Sequence, residues 1–202
     1  MSPRKRLAPE ARRSLIVEAA GRLFGERGYD GTRLDAVAAA AGVTKPVLYR
    51  HFAGKRALYL TLLDRHRADL GSFAGAIPAE GSLEARLRTV LEVWLDYVQA
   101  HSYAWRMLFR DTGGGPEVRA FRVEVHAEAR AVLAGMIRHL APPASIPERE
   151  LDPLAELLSM GMASLVLWWI ETPGVEREAV LDAIARVWIG VLTPRAGDDD
   201  AA

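Results

Sequence analysis

Apolar residues return at three- and four-residue steps along most of the chain, the spacing of one face of an α-helix, and no stretch alternates as a strand does. Ile16, Ala20, Leu23 and Phe24 share a side of a first helix from about Pro9 to Arg27, with Gly28 as its stop. Two short helices follow between Thr32 and Phe52. A fourth opens at Lys55 and runs to about Leu70 through Leu58, Leu62 and Leu63. Beyond a break at 71–81, Ser82 can cap a fifth helix to about His101, carrying Leu87, Val90, Trp94, Tyr97 and His101 on one face. Ser102 can cap a short sixth, Tyr103 to Arg110. The seventh, about Glu117 to Leu140, has Phe121, Val125, Ala129, Val132 and Met136 in one stripe. The eighth spans about Glu148 to Glu171, and the ninth, Glu176 to Leu192, shows Val180, Ile184, Val187 and Val191. The predicted fold class is all-α, with about nine helices.

The stretch TRLDAVAAAAGVTKPVLYRHF, Thr32 to Phe52, carries the most local signals. Thr32 can N-cap a helix, with Asp35 three residues on closing a capping box. Gly42 suits the left-handed residue that ends it, and Val43 is an apolar plug in the turn. Thr44 can cap the next helix, with Pro46 in its first turn, where a missing N–H costs little. Helix, glycine-containing turn, helix is a helix-turn-helix, whose second helix enters the major groove of DNA. That second helix carries Lys45, Tyr49, Arg50 and His51, groups that suit phosphates and base edges, while Val47, Leu48 and Phe52 offer an anchoring side.

Charge changes the picture. The net charge is zero, but residues 1–67 hold 14 Lys+Arg against 6 Asp+Glu, a net of +8, and residues 68–202 hold 12 against 20, a net of −8. A basic head on an acidic body suits a protein whose first third meets nucleic acid. Residues 1–8 form a basic arm that either touches phosphate or the minor groove, or is a solvated tail. Residues 195–202 read as a second solvated tail.

The segment from about Ala11 to Leu62 resembles the DNA-binding domain of the TetR family of bacterial transcriptional regulators. The matching features are Phe24 and Gly28-Tyr29 at the end of the first helix, Thr32 opening the second, the turn Ala41 to Val43, Tyr49 to Phe52, and Lys55 opening the fourth. Pro46 stands where many members have glycine. The resemblance implies a helix-turn-helix head, residues 1–54, and a helical ligand-binding and dimerisation body, residues 55–202. It implies a homodimer that pairs its last two helices with those of a second copy, and a palindromic double-stranded operator. Candidate DNA contacts are Thr32, Arg33, Thr44, Lys45, Pro46, Tyr49, Arg50, His51 and Lys55, with Thr32 and Lys55 holding phosphates. It also implies an inducer among helices five to eight and a fourth helix that transmits its signal.

The body supplies side chains for such a site. All five tryptophans lie at position 94 or later, and aromatic and methionine side chains with a few polar ends suit an apolar or aromatic small molecule. Candidate lining residues are Trp94, Tyr97, His101, Trp105, Phe121 and Trp168, with Tyr97 and His101 as polar anchors. Gly161, Ala163 and Ser164 permit close helix approach, and Leu158, Leu165, Trp169, Val180, Ile184, Val187 and Trp188 offer apolar area for pairing.

Catalytic chemistry finds no support. There is no cysteine, no HExxH, no G-x-S-x-G and no dinucleotide fingerprint, so no catalytic residue, metal site or cofactor is expected. The DTGGGP stretch at 111–116 lacks the Lys-Ser/Thr and the preceding strand of a phosphate loop and reads as a flexible connector. No signal-peptide core opens the chain, and its most apolar run, Met160 to Ile170, is too short to span a bilayer, so a cytoplasmic, membrane-free protein is expected. The expected function is a repressor released from its operator by a small molecule. The rivals are a DNA binder without an inducer and a helical carrier or enzyme with a vestigial head.

Overall fold

The computed structural model describes residues 8–142 and 145–193; the basic arm and the aspartate-rich tail lie outside them. Among the described residues the chain is all helix and turn. Its helices are α1 (Pro9–Gly31), α2 (Leu34–Ala40), α3 (Lys45–His51), α4 (Lys55–Ser72), α5 (Leu83–Ala100), α6 (Ser102–Trp105, extended by a wider π turn to Arg110), α7 (Gly115–Leu140), α8 (Glu148–Glu171) and α9 (Arg177–Leu192), with a 3₁₀ turn at Phe73–Ala76 inside the expected break. These agree with the helices read from periodicity to within a few residues.

Two compact units result. The first holds residues up to His66 together with Ser102–Val123; the second holds Arg67–His101 and the residues from Glu124 on. Compactness therefore cuts the chain elsewhere than at residue 54: the start of α4, all of α6 and the start of α7 group with the helix-turn-helix.

In the first unit α1 packs on α2 and on α6. Its inner side is Ile16, Ala20 and Phe24, each at most 1% exposed. Close approach to α6 needs glycine: a Cβ on Gly25 would lie 2.6 Å from Tyr103 Cβ and 2.9 Å from its Cα. Gly28 then breaks the helix at φ 69°, a conformation that glycine adopts without steric cost, and the last residues of α1 form a separate turn.

In the second unit α5 packs on α9 and α8 on α9. Leu87, Leu91, Trp94 and Leu95 of α5 are buried, as are Leu181, Ile184 and Trp188 of α9. Charges clasp the rim of this contact. Arg88 pairs with Glu178 and, at 2.8 Å, with Asp182, and Arg177 reaches Asp96 at 2.7 Å. Each pair is exposed and screened by solvent, so apolar burial dominates this packing.

Candidate DNA-binding surface

α2 and α3 are joined by a turn closed through backbone bonds. The Gly42 N–H donates to the Ala39 carbonyl at 3.1 Å and the Val43 N–H to the Ala38 carbonyl at 3.0 Å. This is the Schellman arrangement, and it places Gly42 at φ 65°. Thr44 sits at the N-cap of α3 without a side-chain cap bond, and Pro46 lies in the first turn as expected. Leu48 is 0% exposed and Phe52 4%, so α3 is anchored by one side. The opposite side presents Lys45, Pro46, Tyr49 and Arg50 to solvent, with His51 half-buried beside them. A helix about 10–12 Å across with its side chains fits a major groove about 12 Å wide.

The charges on this surface are partly paired. Lys45 Nζ lies 2.7 Å from Asp35 Oδ1, and Arg33 stands 4.0 Å from the other oxygen. The Lys45 hydrogen bond, and then its charge, holds the Asp35 carboxyl below the usual carboxylate range, and Asp35 in turn raises the Lys45 ammonium. Lys55 is half-buried; its Nζ donates to the Asp30 carbonyl at 3.2 Å and lies 4.6 Å from the Tyr29 ring centroid.

Thr32 corrects the expectation made for it. It is 1% exposed, and its hydroxyl lies 3.0 Å from the Leu23 carbonyl and 2.8 Å from that of Gly28. It ties the start of α2 back to the last turn of α1 before the Gly28 break and to Gly28 itself. It neither caps α2, whose N-cap is Arg33, nor offers its side chain to a phosphate.

A buried polar network supports this head from a distant stretch of sequence. Asp111, in the loop before α7, accepts the Tyr29 N–H at 2.6 Å, the Tyr59 hydroxyl at 2.8 Å and, on its other oxygen, the Gly113 N–H at 2.9 Å. Arg122 of α7 donates to the Tyr59 hydroxyl at 3.0 Å and to the Gly113 carbonyl at 2.9 Å, and lies 3.6 Å from Asp111. The Phe24 and Tyr29 rings meet the Tyr59 ring edge-on at 4.9 and 5.0 Å. Burial raises the Tyr59 phenol well above its ordinary value. The loop read as a flexible connector is thus held at both ends. Nothing local in DTGGGP signals this, because its partners lie 52 and 82 residues away.

The candidate lining residues are divided. Trp105 and Phe121 belong to the first unit, and Trp94, Tyr97, His101 and Trp168 to the second. Trp105 is buried and stacks on Phe109 with centroids 5.3 Å apart. Trp94 is buried; the Tyr97 ring stacks on His101 at 4.4 Å, and its hydroxyl donates to Asp69 at 3.0 Å. Trp168 is 51% exposed, on the surface of the protomer rather than in its core. Of the apolar residues expected to pair, Val187 faces out and Leu165 is half-buried, whereas Leu158, Trp169, Val180, Ile184 and Trp188 are buried within the chain; Leu157, Met160 and Trp168 also face out. α8 is long and apolar enough by length and composition to cross a membrane, with only 33% of its most apolar window buried. The short run Met160 to Ile170 is the most apolar part of this longer helix, whose earlier turns carry Glu150, Asp152 and Glu156. Among the described residues no group of three or more His, Asp or Glu is placed to hold a metal.

Residues 16–62 match the model of the bacterial regulatory proteins of the tetR family. The HTH-type transcriptional activator FasR of Mycolicibacterium smegmatis is 38% identical over 126 residues, 61% of this chain and 57% of that protein. The HTH-type transcriptional regulator EthR of Mycobacterium tuberculosis is 27% identical over 188 residues, 86% of this chain and 83% of that one. A TetR-family regulator structure from Streptomyces coelicolor superposes with a TM-score of 0.70 at 26% identity, covering 92% of this chain and 82% of that one. Residues 16–62 thus match the tetR family of bacterial regulatory proteins, and similarity to regulators of that family extends over most of the chain. Its match with FasR spans a little over half of that relative's length.

Proposed function

We propose that this protein is a cytoplasmic, non-enzymatic regulator of transcription that binds a palindromic DNA operator as a homodimer and is released by a small apolar or aromatic molecule. The observation that carries the DNA half is the division of α3: Leu48 is fully buried while Lys45, Tyr49 and Arg50 are exposed on one side. Lys45 and Arg50 supply donors for phosphate oxygens or guanine, and Tyr49, 47% exposed, supplies a ring for a thymine methyl and a hydroxyl for phosphate. Arg33, Thr44, Pro46 and His51 flank them, and Lys55 steadies the corner through Asp30 and Tyr29.

The dimer is supported by an apolar groove of about 330 Å³ on α8 and α9, lined by Leu157, Gly161, Met162, Leu165, Ala183 and Val187 among others. An exposed apolar face of this kind is covered in a stable soluble protein, and a second copy supplies a matching face by symmetry. A single short helix reads few base pairs, whereas two related by a two-fold axis read half-sites about 34–36 Å apart. The effector is proposed from the aromatic content of the second unit, where Trp94, Tyr97 and His101 offer an apolar surface with a hydroxyl and an imidazole. A ligand releases DNA only through different affinity for the DNA-bound and free forms.

The direct test is selection of bound sequences from random DNA, followed by a ligand screen for release. A palindrome should emerge, and a folded Lys45→Ala/Tyr49→Ala variant should lose affinity for it; unchanged affinity sinks the assignment. FasR is named an activator, so activation is the second reading. Transcription of a reporter behind the selected site, with and without the protein, decides the sign.

A further inference from the structure

Asp35 is the single acidic side chain between Gly31 and Leu63, a stretch that also contains Arg33, Lys45, Arg50, Lys55 and Arg56. It stands in the first turn of α2, 52% exposed, with one oxygen 2.7 Å from Lys45 Nζ and the other 4.0 Å from Arg33. Lys45 is itself 54% exposed on the outward side of α3. The carboxylate thus sits where a duplex phosphate would meet the same ammonium. We propose that Asp35 is an internal surrogate for DNA phosphate, which occupies Lys45 in the free protein and so lowers the affinity of the recognition surface for DNA. This rests on the DNA-binding reading above.

The physical basis is counterion release. A cation that neutralises a phosphate displaces a condensed counterion, and this gives log K a slope of about −0.9 per contact against log[salt]. A lysine already paired with a carboxylate gains less by the exchange, since it must give up that partner and leave an anion beside the phosphates. On DNA of random sequence, where no base contact compensates, Lys45 stays with Asp35 and adds nothing. The first-turn position also places Asp35 favourably against the α2 dipole, a small effect at an exposed site, so its loss is tolerable to the fold.

The test measures binding of the full-length protein to a labelled random-sequence duplex of about two helical turns, across a salt series, by fluorescence anisotropy. Asp35→Asn should tighten binding on the order of 10-fold at about 0.1 M salt and steepen the slope by about 0.9. Asp35→Ser, which keeps a residue favoured at a helix start, should do the same. In a Lys45→Gln background most of the gain should vanish. A gain of equal size in that background overturns the proposal, because Asp35 would then act as a general repulsive charge. Weaker or unchanged binding by both folded Asp35 variants overturns it too, leaving Asp35 a positioning residue for Lys45. If wild type binds no duplex even at low salt, the DNA-binding reading itself fails and this one with it; if wild type binds and Asp35→Asn binds no tighter, only the role of Asp35 falls.

Discussion

The Asp111 carboxylate accepts the backbone N–H of Tyr29 at 2.6 Å, across 82 residues of sequence. That N–H follows the Gly28 break, so it has lost its helical acceptor. Asp111 supplies one and thereby fixes the corner from which α2 and α3 depart. Its side chain is 10% exposed and Arg122, 3.6 Å away, is 7% exposed, so removal of either leaves a buried charge with fewer partners. Asp111→Ala should destabilise the protein by about 3–5 kcal/mol, the usual cost of breaking a buried pair. Arg122→Met alone should also destabilise it. The double variant should cost clearly less than the sum of the two, by 0.5–3 kcal/mol. Urea unfolding of the four proteins measures this coupling, and strict additivity would show that the two groups act separately.

Tyr59 gives the same network a pH signature. Burial raises its phenol above the ordinary value of 10.0, while Arg122 opposes the rise. Above pH 10 the unfolded chain loses this proton while the folded chain keeps it, so the unfolded state binds fewer protons and stability falls as pH rises. Between pH 10 and 11.5, wild type should therefore lose more unfolding free energy than Tyr59→Phe, after each is referred to its own value at pH 8. Parallel curves would place the alkaline loss on other groups.

How much of this was legible in the sequence depended on the range of the interaction. Gly42, Pro46 and the Leu48 side of α3 follow from rules that act within five residues, and the helix-turn-helix was readable for that reason. A hydroxyl before a helix is commonly a cap, which is how the sequence presents Thr32, but its acceptors are the carbonyls of Leu23 and Gly28, nine and four residues back around the Gly28 break. Arg122 sits between Val118 and Val125 on the buried side of α7, a place where periodicity assigns an apolar residue, so nothing in the pattern marks it. The outward face of α8 was hidden for the opposite reason: a helix apolar almost all round does not reveal which side the chain itself covers.

Two glycines separate contact from freedom. A Cβ on Gly25 would lie 2.9 Å from Tyr103 Cα, a backbone atom that cannot swing away. Gly25→Ala should therefore destabilise the first unit by about 1–3 kcal/mol through overpacking. Gly135, in the interior of α7, has no atom within 4 Å of a built Cβ. Gly135→Ala should stabilise by about 0.5–1 kcal/mol, since alanine loses less backbone entropy in a helix. Thermal unfolding of the two variants beside wild type should move in opposite directions.

The proposed dimer makes a prediction that depends on concentration. Val187 is 55% exposed although it stands one residue before Trp188, which is fully buried, so its methyl groups contribute little to the fold of one chain. In a paired α8–α9 face they would be desolvated, and a carboxylate there would be buried against apolar neighbours at a cost of several kcal/mol. Val187→Glu should then leave the helical circular dichroism of the protomer intact but yield a monomer by light scattering at micromolar concentration. Wild type should scatter as a dimer, and its melting temperature should rise with concentration, whereas that of Val187→Glu should not. Loss of the dimer should weaken operator binding far more than binding to a single half-site, because only the palindrome uses both recognition helices. A wild type that is monomeric and binds the palindrome as one protomer would refute the interface.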